Sequence, residues 1–531
     1  MQSALKTYWN RMNGINGFIL MAYLLFVCVA DALTSASYSY RYLFTSFVCT
    51  FLLCLVLCPV VMQFLSKLQV RNLSQEQEKC RFCSTILQAA FYLIPFAVFF
   101  LYYLAFYPGG FSSDSIDQYT QAVTGQYNDW HPVFQTLFAF TLPLALTGGW
   151  GGSVALFQII CLSGVLGYTF QVIYKYTNIK FTLISMVFVL MNPYLTSVAI
   201  TPWKDVSFAI GALLLLTYSL EICFTRGLWI KKPVHTVLYI LVAVATTLFR
   251  HNALLFTVPL IFAVLFYITP KKSLLICLSV LVLCLGIKGP VYTAMDVQSP
   301  DKRQVETLGL PMTVIGGAVK FAPDSLDEET LEFAYKIAPK DVWEEKYVYG
   351  SYNHVKWDNR TDNLVIEEYG APKVLSMMVK SFASSTRFAS TALVYLTRSV
   401  YALRGGFSVN IQSIASNPFG LVQRSGGYLS QFFQSAFETV KTYLSYPLFH
   451  MGFWHLVLIA AILAKCSLNK FRDWKKIFFM LPVFAYNYGT SLLLTGAEDA
   501  IRFFFYMFPL IPVYLVFLFK DATVQDKEID S

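Results

Sequence analysis

Residues 107–152, YPGGFSSDSIDQYTQAVTGQYNDWHPVFQTLFAFTLPLALTGGWGG, carry the side chains best suited to chemistry. Asp114, Asp117 and Asp129 stand here beside His131, the only histidine in the first 230 residues, and the stretch has no Lys or Arg. Pro108, Gly109 and Gly110 break the apolar run before it. Acids, an imidazole and amides therefore gather at the mouth of a membrane span. A carboxylate at that boundary can meet a substrate whose tail lies in lipid and whose head lies in water. The plainer reading makes Ser112, Ser113 or Asp114 a helix cap on a polar loop.

Cations fall near the same face. Lys204 lies in Thr201-Pro202-Trp203-Lys204-Asp205, Arg250 in Arg250-His251-Asn252, and Arg502 in Glu498-Asp499-Ala500-Ile501-Arg502. Charges at span ends are costly and take partners. Three cations with several carboxylates can hold a phosphate while one carboxylate does acid–base work. An Arg fork suits phosphate oxygens. The plain alternatives are a Lys204–Asp205 cap at a helix N-terminus, a snorkelling Arg250, and an Arg502 pair with Asp499 or Glu498. Glu306 and Asp358 are weaker candidates in the later polar region, and Arg41 has no functional case.

The frame that must position these residues is a membrane bundle. The 531 residues are 56% hydrophobic and 13% charged, against about 25% charged for a soluble domain. The first apolar run lacks a small-residue cleavage site and is expected to be retained. Apolar runs predict twelve spans at about 14–34, 42–66, 84–107, 153–173, 181–200, 205–224, 236–249, 253–269, 274–292, 448–465, 477–494 and 503–519. Basic residues concentrate in alternate loops, which places the N- and C-termini in the cytoplasm and the candidate site on the outer face of a plasma membrane. That topology also accounts for the net charge of +9 without nucleic acid. It requires 133–147, bracketed by His131-Pro132 and by glycines 148, 149, 151 and 152, to lie along the outer interface.

The expected fold is thus an all-α polytopic membrane protein with a mixed extracytoplasmic domain. Its parts are three N-terminal spans (1–106), the acidic outer loop (107–152), six central spans (153–292), an extracytoplasmic region (293–447), three C-terminal spans (448–519) and a cytoplasmic tail (520–531). Ser325, ahead of Asp327-Glu328-Glu329, marks an expected helix start. Residues 371–447 are expected to cover the outer mouth. Most of the eleven cysteines lie in apolar runs, which argues against a disulfide framework, and Cys80-Arg-Phe-Cys83 is a lone CxxC.

YPGGFSSDSIDQY, the Asp129–Pro132 DWHP leading into an interfacial helix, and the outer TPWKD together resemble the GT-C superfamily of integral-membrane glycosyltransferases. Protein O-mannosyltransferases, aminoarabinose transferases of lipid A and oligosaccharyltransferase catalytic subunits belong to it. The resemblance is best over 107–205, and RFFFYMFPLIP from Arg502 resembles the entry to a late span in several bacterial members. It departs in having two spans before the one that leads into the acidic loop, and in lacking a DxD.

The resemblance implies transfer of a sugar from a polyprenyl-phosphate donor to a cell-envelope glycan, glycolipid or protein. Asp114 or Asp117 would be the catalytic base. His131, Asp129, Lys204, Asp205, Arg250, Asn252, Arg502 and Glu306 would line the substrates. A divalent cation, Mg or Mn, stays open, with Asp114 and Asp205 as its candidate ligands. The competing class is a transporter or flippase of a lipid-linked sugar or another anion, which predicts broken helices and inverted repeats.

Overall fold

The computed structural model describes residues 14–33, parts of 48–64, 81–300, 303–348, 350–401, 410–424, 426–443, 450–469, 474–494 and 501–519. Most of the expected second span (42–66), Arg41, Cys80, Glu498, Asp499 and the tail 520–531 lie outside them.

Among the described residues the chain is helical, with only two isolated bridges, Asn128 with Gln298 and Val348 with Ser351. Among the described residues four helices are long and apolar enough to cross a membrane: Thr85–Ala105, Gly152–Tyr176, Lys204–Phe224 and Pro270–Ala294. This is an all-α membrane protein. The expected span at 181–200 is not continuous. It divides into Ile179–Leu190 and Pro193–Ala199, bent by 65°. The break follows from Asn192-Pro193. Pro193 suits the first position of a helix, where its missing N–H costs nothing, and the Asn192 side chain accepts from the Tyr194 and Leu195 amides at 3.0 and 3.4 Å. The apolar helices Pro233–Leu248, Leu254–Leu265, Met451–Cys466 and Arg502–Phe517 are shorter, so helix length alone does not carry the expected count of twelve.

Lys204–Phe224 is the central helix. It is apolar on all sides except its ends, the pattern of a helix enclosed by others. It packs against Ser153–Tyr176, Pro233–Leu248, Leu254–Leu265 and Met507–Phe517. Its far end is fastened by buried Glu221, which accepts from Lys175 Nζ at 2.7 Å and from the Tyr176 hydroxyl at 2.5 Å. Its near end carries Lys204 and Asp205.

The helix Arg81–Ala105 ends just before Pro108-Gly109-Gly110. Gly109 has φ +119°, and a Cβ there would sit 2.6 Å from the Ile200 carbonyl oxygen. The Gly110 amide donates to that same oxygen at 3.1 Å. Two glycines thus dock the acidic loop, backbone to backbone, on the end of the broken span. Residues 410–424 run over this junction. The Ala415 amide donates to Phe111 O at 2.7 Å, and the Arg424 amide to Tyr107 O at 2.8 Å.

The acidic helix follows, Ser113–Thr124. Ser112 is its cap, accepting from the Ser115 amide at 3.4 Å, and Gly125, with φ 72°, closes it. Ile116 and Tyr119 turn inward to Phe111, Phe140, Leu144 and Val154. Val133–Leu146 is one apolar helix with a π-helical turn at Leu137–Thr141. At 1.5 Å per residue it spans about 21 Å, short of the roughly 30 Å hydrocarbon core.

The mixed region resolves into helices with their own core. Met312, Ile315, Phe333, Ile337, Trp343, Tyr352 and Ile366 are buried together. Gly309–Phe321 is apolar and enclosed here because Gly316 admits the Tyr347 ring. The expected helix start at Ser325 moves to Asp327, whose carboxylate accepts from the Thr330 amide at 2.8 Å. Ser325 instead closes a 3-10 turn, its hydroxyl donating to Ala322 O at 2.7 Å.

An interfacial Val133–Leu146 has both ends on one side of the bilayer. Single cysteines replacing exposed Thr124 and Thr147 are expected to react with an impermeant maleimide from the same side. Reaction from opposite sides would make 133–146 a crossing.

Candidate functional site

The central helix brings Asp205 into its own first turn, where a carboxylate is favoured. Asp205 is ion-paired with Arg250, and both side chains are 2% exposed. The guanidinium lies over the Phe503 ring at 4.9 Å and the Tyr486 ring at 6.0 Å. Asn252, two residues on, donates to Thr490 Oγ1 at 2.7 Å. Arg250 and Asn252, expected to touch substrate, are thus engaged within the bundle. They fix the floor beneath the site.

Above this floor the acidic helix docks on the TPWKD turn. The Trp203 indole donates to Ser112 Oγ at 2.7 Å, and Ser115 Oγ donates to Pro202 O at 3.2 Å. Gln118 Nε2 donates to Thr136 Oγ1 at 2.9 Å, which ties the same helix to Val133–Leu146. Ser112 therefore serves both as a cap and as an anchor.

This docking points two carboxylates at two different partners. Asp114 Oδ2 lies 3.0 Å from Arg502 Nη2, with side chains 30% and 27% exposed. The Arg502 guanidinium is held over the Trp203 ring at 5.2 Å and the Phe503 ring at 5.1 Å. Asp117, one turn on, faces His131, with Oδ2 3.7 Å from Nε2. On the other side of the imidazole, Lys204 Nζ lies 2.9 Å from Nδ1. An ammonium only donates, so Nδ1 accepts and the neutral ring carries its proton on Nε2, toward Asp117.

The environments drive these groups apart. Burial pushes the Asp114 carboxyl up, but the charges of Arg502 and Lys204 and the Arg502 hydrogen bond outweigh it and bring the pKa down to about 2. Burial raises Asp117, opposed by a hydrogen bond from Gln121 and aided by the charge of Asp114. Burial and the Lys204 charge hold His131 well below the usual histidine range. Carboxylates separated in this way are suited to different roles.

Asp114, Asp117 and His131 line an open cleft of about 620 Å³, with Ser113 and Trp130. Asn128, Gln298, Ser299 and Pro300 line it too, with Gln298 bridged to Asn128. Asp129 stands at the edge, its carbonyl accepting from His251 Nε2 at 3.0 Å. Glu306 pairs with Lys356, and the Lys356 ammonium lies 5.8 Å from the centre of the Trp130 ring. The Asp358 carboxylate pairs with exposed Arg360, 3.1 Å away, and not with the cleft. The sequence reading missed Trp203, His251 and Lys356. Trp203 and His251 adjoin residues it had singled out, whereas nothing in the pattern marks Lys356.

Asp114 and Asp205 were the candidate ligands had a divalent cation been used. Each faces a guanidinium, and among the described residues no three His, Cys, Asp or Glu side chains gather around one point. This donor set does not fit a resident divalent cation.

Removing one member of a buried pair leaves an uncompensated charge, at a cost of about 3–5 kcal/mol. Asp205→Asn and Arg250→Gln are each expected to lower the thermal midpoint strongly, and the double variant less than their summed effect. A pH series adds a second expectation. With the folded His131 pKa below its ordinary value near 6.5, the unfolded chain takes up the proton first, so stability falls as pH drops below that value. Asp114 adds stability above its ordinary 3.8 that is lost as pH falls toward about 2. Raised Asp117 opposes both only in the carboxylate range. His131→Gln should therefore flatten the slope just below pH 6.5 in thermal unfolding.

No family model, no curated protein and no solved structure matches the chain, so what the cleft can do is argued from its own geometry.

Proposed function

We propose that the chain is an integral-membrane glycosyltransferase of GT-C type. In this reading it has about twelve crossings, cytoplasmic termini and an outward-facing cleft. It moves a sugar from a polyprenyl-phosphate donor to a hydroxyl of an envelope glycan, glycolipid or protein. The observation that carries the reading is the divided pair. Two carboxylates on one short helix face one cleft, one bound to a cation and the other held basic beside a neutral imidazole.

The roles follow from that division. Asp117 is the base, because a carboxylate with a raised pKa takes a proton more readily than one held near 2. The acceptor oxygen attacks the anomeric carbon from the face opposite the phosphate. A new C–O bond forms as its proton passes to Asp117. The bond from the anomeric carbon to the phosphate oxygen breaks, and its electron pair leaves on the phosphate. Arg502 and Lys204 are the cations near enough to the cleft to receive that charge, the electrostatic contribution that lowers such barriers. Arg250, enclosed with Asp205, holds the central helix start and with it Lys204. The product has inverted configuration.

One observation favours a second reading. The broken pair Ile179–Leu190 and Pro193–Ala199 is of the kind that flippases and transporters use at their substrate sites. Its inward residues Asn192, Thr196 and Ser197 are buried and bonded locally, which leaves the cleft as the better candidate.

Purified protein in liposomes with radiolabelled polyprenyl-phosphate sugars tests this. Wild type is expected to release polyprenyl phosphate. Asp117→Asn should slow release by about 10²–10⁴-fold, the usual contribution of a general base. Asp114→Asn should act mainly by loosening Arg502, raising donor KM. Normal release by Asp117→Asn would remove it as the base. Labelled lipid crossing the bilayer without release would favour the flippase.

A further inference from the structure

Trp357 stands out on the surface because it is 68% exposed. Indoles are usually well covered. This one is nonetheless fixed. Its Nε1 donates to Asn353 Oδ1 at 3.1 Å, and the Lys356 ammonium lies 4.7 Å from its ring centre. The same ammonium is 5.8 Å from the ring of Trp130, which lines the cleft. Lys356 is 5% exposed and paired with Glu306, itself 28% exposed. One buried, neutralised cation thus holds two indoles in a row that begins in the cleft and ends on the outer lobe.

We infer that Trp130 and Trp357 form a saccharide-binding platform that leads a glycan acceptor into the cleft. The acceptor role rests on the transfer reading above, although binding is measured without turnover. A sugar ring has an apolar C–H face and a rim of hydroxyls, and a rigid indole offers a matching apolar face at little entropic cost. Asn128 and Gln298, which line the cleft with Trp130, offer polar partners to the hydroxyl rim. The two indoles flank one ammonium, so consecutive rings of one glycan can reach both. Charge favours a polyol over a polyanion, because Lys356 is already paired and the cleft wall beyond Trp130 carries Asp114 and Asp117. A headgroup anchor of the kind Trp forms at membrane interfaces is the competing use of Trp357.

The test is retention of neutral and amino-sugar oligosaccharides on a glycan array by the full chain in lipid nanodiscs. Wild type is expected to retain at least one glycan class. Trp357→Ala and Trp130→Ala should each weaken it by about tenfold, equivalent to about 1.4 kcal/mol. Trp357→Phe should keep most of the binding, and so should Trp474→Ala, which removes an indole packed on Phe266 and Phe478. Unchanged thermal midpoints would exclude misfolding as the cause. Retention of no glycan by wild type overturns the proposal, as does full retention by both alanine variants. A loss of vesicle binding in Trp357→Ala without loss of glycan assigns the indole to the lipid interface instead. The failures are separable. Glycan retention by an inactive wild type leaves the platform and removes the transferase. Turnover with full retention by the alanine variants removes only the platform.

Discussion

The pair between Asp205 and Arg250 is the constraint on which the rest of the site depends. Both groups are enclosed, with side chains 2% exposed, and neither can be charged there without the other. The pair fixes where the central helix begins. That start is Lys204, with Trp203 directly before it and Asp205 directly after. Trp203 holds Ser112 and lies against Arg502, and Lys204 holds His131. Through these contacts the acidic helix receives its position and its two carboxylates receive different partners. The chemistry at the cleft is therefore set from below, by a pair that no ligand reaches.

Backbone geometry adds the second constraint. A loop that leaves one span and lies across the end of another must meet its neighbour without side chains in between. Gly109 and Gly110 supply that approach at Ile200. The broken span is what places the Ile200 carbonyl there, since Asn192-Pro193 redirects the chain toward the same end of the bundle. Residues 410–424 then cover the junction through their own amides. Backbone groups that would otherwise be left without partners beside lipid are satisfied in this way.

Much of this was legible in the sequence, and the reasons are physical. Charge is so costly in a bundle that its few exceptions stand out. Asp114, Asp117, His131, Lys204, Asp205, Arg250 and Arg502 were marked for that reason, and the structure brings them to one end of the bundle. Glycines and His131-Pro132 delimited Val133–Leu146 because such residues end helices. The pairing was not legible. Arg502 meets Asp114 across 388 positions of chain, and local sequence holds no record of that; the partners the sequence suggested, Asp499 and Glu498, lie outside the described residues. The break at Asn192-Pro193 was read through because flanking apolar residues mask a local cap. The burial of Gly309–Phe321 went unseen because it depends on Tyr347 fitting against Gly316, a contact between distant segments.

The two ion pairs of the site differ in a way that bears on the transfer reading. Asp114 and Arg502 are about as far from solvent as a partly open surface pair, whereas Asp205 and Arg250 are sealed. A partly exposed pair can be reached by a competing anion, which can take the place of one partner. The donor's phosphodiester carries one negative charge, as a carboxylate does, and the phosphate monoester it becomes on transfer carries nearly two; each accepts from a guanidinium through two oxygens. Arg502, fixed by the Trp203 and Phe503 rings, would keep its place during such an exchange while Asp114 turned away. The sealed pair beneath cannot exchange, because separating it exposes both charges to the interior. One cation is thus available to a lipid-linked phosphate and the other is not, and the difference follows from burial alone.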